Sequence, residues 1–177
     1  MSDTLPAPKS PYPPDVDPEA DRPDALDDAI DARLENSDFS NTRALKSSLR
    51  RMELNLCRLT GIELAEATWN DVVLTECRAD FAGFRQAKLE RVVFRDCRLE
   101  EADFGGATLT DVVFERCELR RASFAGCRVE RLELRSCALA ELVGVEALRG
   151  ARMPWDDILE NAPLFAQGLG IQVLSDE

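Results

Sequence analysis

Apolar residues recur at every fifth position over more than half of the chain. From Phe39 to Leu139, all 21 residues of this series are apolar. A second series stands two residues before the first and consists mostly of small or β-branched residues, among them Cys57, Ala82 and Val92. An α-helix would space its apolar residues 3.6 apart and a strand would space them two apart, so neither element can run far in this register.

A period of five indicates a three-residue extended piece followed by a two-residue corner. The first and third residues of each piece face inward and the second faces outward, and the corner restores the phase that an odd period would invert. Five of the six cysteines add a longer period, because they stand 20 residues apart at Cys57, Cys77, Cys97, Cys117 and Cys137. Four sides make one such coil. The pattern therefore predicts an all-β solenoid of about five 20-residue coils, in which equivalent residues stack.

Stacking of equivalent residues predicts a ladder of core side chains. We expect its members to be the five cysteines at 20-residue spacing and three phenylalanines, Phe84, Phe104 and Phe124. Cysteine is a good small core residue, and this interpretation is favoured over two alternatives, a disulfide between adjacent coils and a metal site. The chain has no CxxC pair and no histidine, so we expect no metal and no cofactor.

The repeat resembles the pentapeptide-repeat family, whose signature is A-(D/N)-L-x-x. Matching stretches are Ala102-Asp103-Phe104-Gly105-Gly106, Ser37-Asp38-Phe39-Ser40-Asn41 and Ala122-Ser123-Phe124-Ala125-Gly126. The resemblance covers about residues 37–141 and implies a right-handed quadrilateral β-helix that is often dimeric. The chain departs from the signature where Arg, Glu or Val replaces the outward Asp or Asn, and where Cys or Val replaces Ala.

The flanking segments differ from the repeat in composition. Residues 1–23 hold seven of the nine prolines and many acids, which predicts a disordered tail. The spacing of Leu26, Ile30 and Leu34 predicts a capping helix over residues 24–36, and the β-helix is expected over residues 37–153. Residues 154–177 are predicted to form a C-terminal helical cap and tail. The resemblance implies that such a cap doubles as a dimer interface, which makes its apolar residues interface candidates: Trp155, Ile158 and Leu159.

Composition argues against an enzyme. The chain lacks histidine, the commonest general base, and carries no P-loop, GxGxxG or GxSxG motif. No apolar run reaches 15 residues, so we expect neither a membrane span nor a secretory signal, and the expected location is the cytoplasm. Direct nucleic-acid binding is not expected, because the net charge is −12.

Two functions stay open. The first is a protein–protein interaction scaffold with an unknown partner. The second, implied by the resemblance, is mimicry of double-stranded DNA towards a type II topoisomerase such as gyrase, with an effect on quinolone susceptibility. Residues 1–36 carry 10 acids and 3 bases and residues 142–177 carry 6 and 2, but residues 37–141 carry 18 acids and 17 bases. A nearly neutral coil is a poor copy of a uniformly charged duplex, so the scaffold is favoured.

One side of the predicted coil has apolar residues at outward positions. Val73, Val93 and Val113 stand 20 residues apart and each follows an inward valine. Two interpretations stay open for this stripe: strand propensity beneath a covering element, or a contact surface for a second copy or a partner.

Overall fold

The computed structural model describes Lys9, Pro11, residues 28–172 and Leu174, and its main body is a stack of six parallel strands. Neighbours in the sheet are consecutive in the chain, and paired residues are 20 positions apart, as in Leu54 with Leu74 and Val93 with Val113. The predicted all-β solenoid of about five coils is confirmed. The strands are β1 Ile30–Glu35, β2 Ser48–Asn55, β3 Thr68–Thr75, β4 Lys88–Arg95, β5 Thr108–Glu115 and β6 Arg128–Arg135.

Four corners per coil produce the five-residue period. The second corner residue has a positive φ at every fifth position from Asp31 (φ 51°) to Glu141 (φ 58°). Some corners are closed by a turn hydrogen bond, as where the Ile62 N–H donates to the Leu59 carbonyl at 3.1 Å. Another corner lies inside the long strand, at Asp71 in β3 (φ 58°), so two of the four sides join into one eight-residue strand. The other two sides pair with the next coil through isolated bridges.

The predicted helix over residues 24–36 is wrong for the described part of that range, which forms β1. The five-residue series extends upstream of Phe39: Leu34 and Ala29 are 1% and 6% exposed, whereas Ile30, which the helical pattern would bury, is 53% exposed. A short isolated helix is marginal, while β1 gains a full ladder of hydrogen bonds on β2. Leu26 and all of residues 1–23 except Lys9 and Pro11 lie outside the described residues, so disorder there stays a prediction.

The core is built from stacked side chains, as the ladder prediction requires. Four of the five cysteines are 1–2% exposed, and Cys137 is 8% exposed. The rings of Phe84, Phe104 and Phe124 stack at centroid distances of 4.9 and 5.0 Å. A second stack, Phe94 on Phe114 at 4.8 Å, comes from the opposite side of the coil and meets the first edge to face. Close packing of planar rings in coils ~4.8 Å apart leaves room only for small residues beside them.

The C-terminal end of the solenoid is closed by a shortened coil and two helices. Gly144 (φ 80°) replaces an inward apolar residue, and a 3-10 helix over Val145–Leu148 takes the place of a side. The coil ends where Arg152 bridges to Glu133. Two short helices follow, α1 Trp155–Glu160 and α2 Ala162–Gly168. The described residues include no helix long and apolar enough to cross a membrane.

Candidate interaction site

The four sides of the coil present four outward rows, whose members the bridges between coils define. We call them face 1, face 2, face 3 and face 4 in chain order. Face 1 includes Arg58 and Arg78, face 2 includes Asp103, face 3 includes Thr108, and face 4 includes Val93. Within the described part of the chain, no cluster of three or more Asp, Glu, Cys or His residues could hold a metal ion.

Face 1 carries residues of both charge signs. In face 1 the row runs Asp38, Arg58, Arg78, Arg98, Glu118 and Ala138. Arg58 pairs with Asp38 at 3.6 Å, and Arg98 lies 3.5 Å from Asp80 and 3.8 Å from Glu100. None of the four described faces is an unbroken row of carboxylates, because each row also contains basic, small or apolar residues.

The corner between face 3 and face 4 carries an ordered charge ladder. At its second position Asp and Arg alternate in successive coils: Asp31, Arg51, Asp71, Arg91, Asp111 and Arg131. Each Arg makes a bidentate contact with the Asp of the preceding coil, 20 residues earlier. Arg131 donates from Nε to Oδ1 of Asp111 at 2.6 Å and from Nη2 to Oδ2 at 2.9 Å. This hydrogen bonding holds the pKa of the Asp111 carboxyl below its ordinary value despite burial, and Asp71 likewise raises the pKa of Arg91.

The predicted valine stripe lies on face 4, with its three members in direct register. Val73 pairs with Val93 and Val93 pairs with Val113, so the stripe covers three coils. Glu53 precedes it in the row and Glu133 follows it. Val93 points outward yet is only 8% exposed, and the other two valines are half-buried. The structure therefore joins these three candidates into one narrow apolar strip.

The structure separates the three candidates on the C-terminal cap into two groups. Trp155 and Leu159 are 68% and 55% exposed, and their i, i+4 spacing places both on the outer side of α1. Ile158 instead lines a groove of about 400 Å³ between the 3-10 helix and α2, together with Met153 and Phe165. Phe165 was not among the residues predicted from the sequence. It follows Pro163, which lies in the first turn of α2, where proline is tolerated.

Two hydrogen bonds attach the cap helices to the solenoid and to each other. The Ser136 N–H, at a corner of the last full coil, donates to the Asp157 carboxylate at 2.6 Å. The Asn161 side chain donates to the Asp157 carbonyl at 2.8 Å where α1 ends. The exposed side chains of α1 therefore sit on a helix that is held in place, which favours a defined contact surface.

Comparisons with known proteins agree with this geometry. Residues 47–124 match the sequence model of the pentapeptide repeat region. A pentapeptide repeat protein from the Arabidopsis thaliana thylakoid lumen has a similar solved structure, with a TM-score of 0.52 and 22% identity over 55% of this chain and 68% of that one. Comparison with curated protein sequences found no match.

Two further solved structures are more distant. QnrB1, a plasmid-mediated fluoroquinolone resistance protein, gives a TM-score of 0.43 at 18% identity over 81% of this chain and 92% of its own. HetL, a pentapeptide repeat protein involved in heterocyst differentiation regulation in the cyanobacterium Nostoc, gives 0.39 at 19% identity over 74% of each chain. The match identifies residues 47–124 as a pentapeptide repeat region, and together with the repeat register and the stacked coils it supports the pentapeptide-repeat family for this chain.

Proposed function

We propose that the protein is a non-catalytic interaction scaffold that contacts other proteins, and a second copy of itself first of all, through its C-terminal cap. The observation that carries the proposal is the exposure of Trp155 and Leu159 on a helix anchored to the solenoid. Leu169 and Ile171, just after α2, are also more than half exposed. An apolar group of this size at one end of a molecule is typical of an interaction surface.

The arrangement suits a symmetric contact. In a two-fold dimer the same patch faces itself, so a protruding side chain of one copy needs a recess on the other. Trp155 protrudes, and the groove lined by Ile158 and Phe165 offers an apolar recess of about 400 Å³ on the same cap. Tryptophan is among the residues that most often anchor protein contacts, because it buries a large area at little entropic cost.

Several features favour a scaffold over catalysis. The chain contains no histidine, and the ionisable groups of the coil are mostly used in ladders of ion pairs between successive coils.

All six cysteines are free thiols. Free thiols persist in reducing compartments, and we propose the cytoplasm as the location for that reason.

The alternative of DNA mimicry finds no support in the distribution of charge. A duplex presents one negative charge per ~1.7 Å of axis, whereas face 1 holds a run of three arginines and face 4 a run of three valines. We therefore rank it below the scaffold. Inhibition of gyrase supercoiling by micromolar purified protein would reverse this ranking.

The oligomeric state of the full chain tests the proposal. Light scattering at about 50 µM, near the micromolar range of moderate protein contacts, should give twice the chain mass of 19.7 kDa. The double variant Trp155→Asp, Leu159→Asp should be monomeric with an unchanged circular dichroism spectrum. Phe81→Asp is the matched control, because Phe81 is also exposed (58%) but lies on a corner of the coil, and it should stay dimeric.

Two results would contradict this assignment. A monomeric parent chain at about 50 µM would reject the homodimer. A dimer that survives the double substitution on α1 but dissociates with Phe81→Asp would move the contact to the side of the solenoid.

A further inference from the structure

Face 4 differs from the other faces in being both apolar and nearly closed to solvent. Its central residue, Val93, points away from the core and is 8% exposed, whereas Val143, an outward residue on face 2 near the end of the solenoid, is 52% exposed. The strip from Val73 to Val113 spans two coil rises, or ~10 Å. This is the length of three or four residues of extended peptide.

A segment from the other end of the sequence reaches this face. The backbone N–H of Lys9 donates to the Oδ1 atom of Asp111 at 2.9 Å, a contact between residues 102 positions apart. Asp111 stands at the corner beside face 4, two residues before Val113 in β5. Its carboxylate also accepts from Arg131, and the residue is only 2% exposed. Pro11, two residues after Lys9 in the sequence, is half-buried.

The chemistry of the N-terminal segment fits such a strip. Prolines stand at positions 6, 8, 11, 13 and 14, and proline favours the extended polyproline II conformation and has no N–H to satisfy. Ring methylenes can therefore lie against valine side chains without leaving many backbone donors unpaired. Lys9 lies between these prolines, and its N–H finds an acceptor in the Asp111 carboxylate.

We propose that face 4 is a binding site for a short extended proline-rich peptide, and that its occupant is the stretch around Lys9 and Pro11 in the N-terminal segment of the same chain. Attachment to the same chain gives the segment a high effective concentration at the face, so a weak contact suffices to hold it. Residues Val73, Val93 and Val113 supply the apolar strip, and Asp111 supplies the acceptor that fixes the position of Lys9. Face 4 is thus separate from the C-terminal cap proposed as the dimer contact.

Trypsin offers a direct test on the full chain. Lys9 and Arg22 are the only basic residues before Arg33, and Arg22 precedes Pro23, which blocks cleavage, so the Lys9–Ser10 bond is the one early site. A protease must draw the residues around this bond into its own cleft, so a docked segment is cut only when it detaches. Cleavage should therefore be roughly tenfold slower in the native chain than in a synthetic peptide of residues 1–23.

Matched variants locate the contact. Val113→Asp places a charge in the strip beside Asp111 and should raise the rate of cleavage after Lys9 towards that of the peptide. Val143→Asp makes the same change at an outward residue of face 2 and should leave the rate at the parent value. Circular dichroism confirms that both variants are folded.

The outcomes separate the possible occupants. Cleavage of the native chain at the rate of the peptide, or no effect of Val113→Asp, would overturn the proposal. If the protection of the Lys9–Ser10 bond from trypsin disappears on dilution, a second copy supplies the segment. That result would also overturn the proposal. If Val113→Asp does not fold, the comparison of the parent chain with the peptide, repeated over a range of concentrations, decides alone.

Discussion

At the scale of single residues, the cysteine ladder does more than fill space. The Cys77 thiol donates to the Leu54 carbonyl at 3.3 Å, and the Cys117 thiol donates to the Phe94 carbonyl at 3.3 Å. Each thiol thus satisfies a carbonyl of the preceding coil, 23 residues earlier. Neighbouring thiols and burial raise the pKa of Cys97 far above its ordinary value. Cysteine suits this position because its side chain is small, apolar enough to be buried, and able to donate a weak hydrogen bond. Alanine lacks the hydrogen-bond donor.

Thiol labelling should separate the ladder from Cys127. Cys127 is half-buried, its thiol donates to the Phe104 carbonyl at 2.9 Å, and burial raises its pKa to about 11. Because the thiolate is the reactive form, its labelling rate should rise about tenfold per pH unit between pH 8 and 10. We expect one thiol per native chain to react and all six to react in urea. Cys127→Ser should abolish the native reaction; equal reaction of several cysteines in the native chain would mean that the ladder is open.

At the scale of elements, the sequence predicted the coil well because every coil obeys the same rule. The five-residue series placed Cys57, Phe84 and Phe104 in the core, where they lie. The prediction failed at the N-terminal end because Leu26, Ile30 and Leu34 also fit a helical spacing, and only the pairing of β1 with β2 selects the five-residue register. The contact of Lys9 with Asp111 was beyond prediction, since it joins residues 102 apart and leaves no periodic signal. The groove at Ile158 depends on how α1 and α2 pack after the period has ended.

Two glycine substitutions should show where the coil stops tolerating a side chain. Gly126 (φ 69°) is a corner, and the nearest atom to an added Cβ is 4.0 Å away, so Gly126→Ala should cost only about 1 kcal/mol. At Gly144 (φ 80°) an added Cβ would lie 2.4 Å from the backbone nitrogen of Ala125, and the backbone cannot move aside. Gly144→Ala should therefore cost about 3 kcal/mol or more.

Urea denaturation and hydrogen exchange measure the effect of these glycine variants. In Gly144→Ala, exchange should accelerate over the 3-10 helix and α2, while the amides of β3 and β4 stay protected. Equal destabilisation by the two variants would show that positive φ, and not the close approach to Ala125, limits this position.

At the scale of the whole molecule, the solenoid is a one-dimensional array in which each coil touches only its neighbours. Contacts between strands follow chain order from β1 to β6, and the shortened coil closes one end. In such an array the energetic effect of a side chain depends on how many coils flank it. The aromatic stacks make this dependence measurable, because the same residue type recurs at equivalent positions along the axis.

Phe104 and Phe124 form a matched pair for this measurement. Both are fully buried, but Phe104 contacts four other rings, those of Phe84, Phe94, Phe114 and Phe124, whereas Phe124 contacts two. An aromatic pair contributes ~0.5–1.5 kcal/mol beyond burial, so Phe104→Leu should lower the free energy of unfolding by ~1–3 kcal/mol more than Phe124→Leu. Urea titration at neutral pH gives both values. Equal losses would show that ring contacts between coils add nothing to burial, and a larger loss for Phe124→Leu would place the weakest point of the solenoid next to its C-terminal cap.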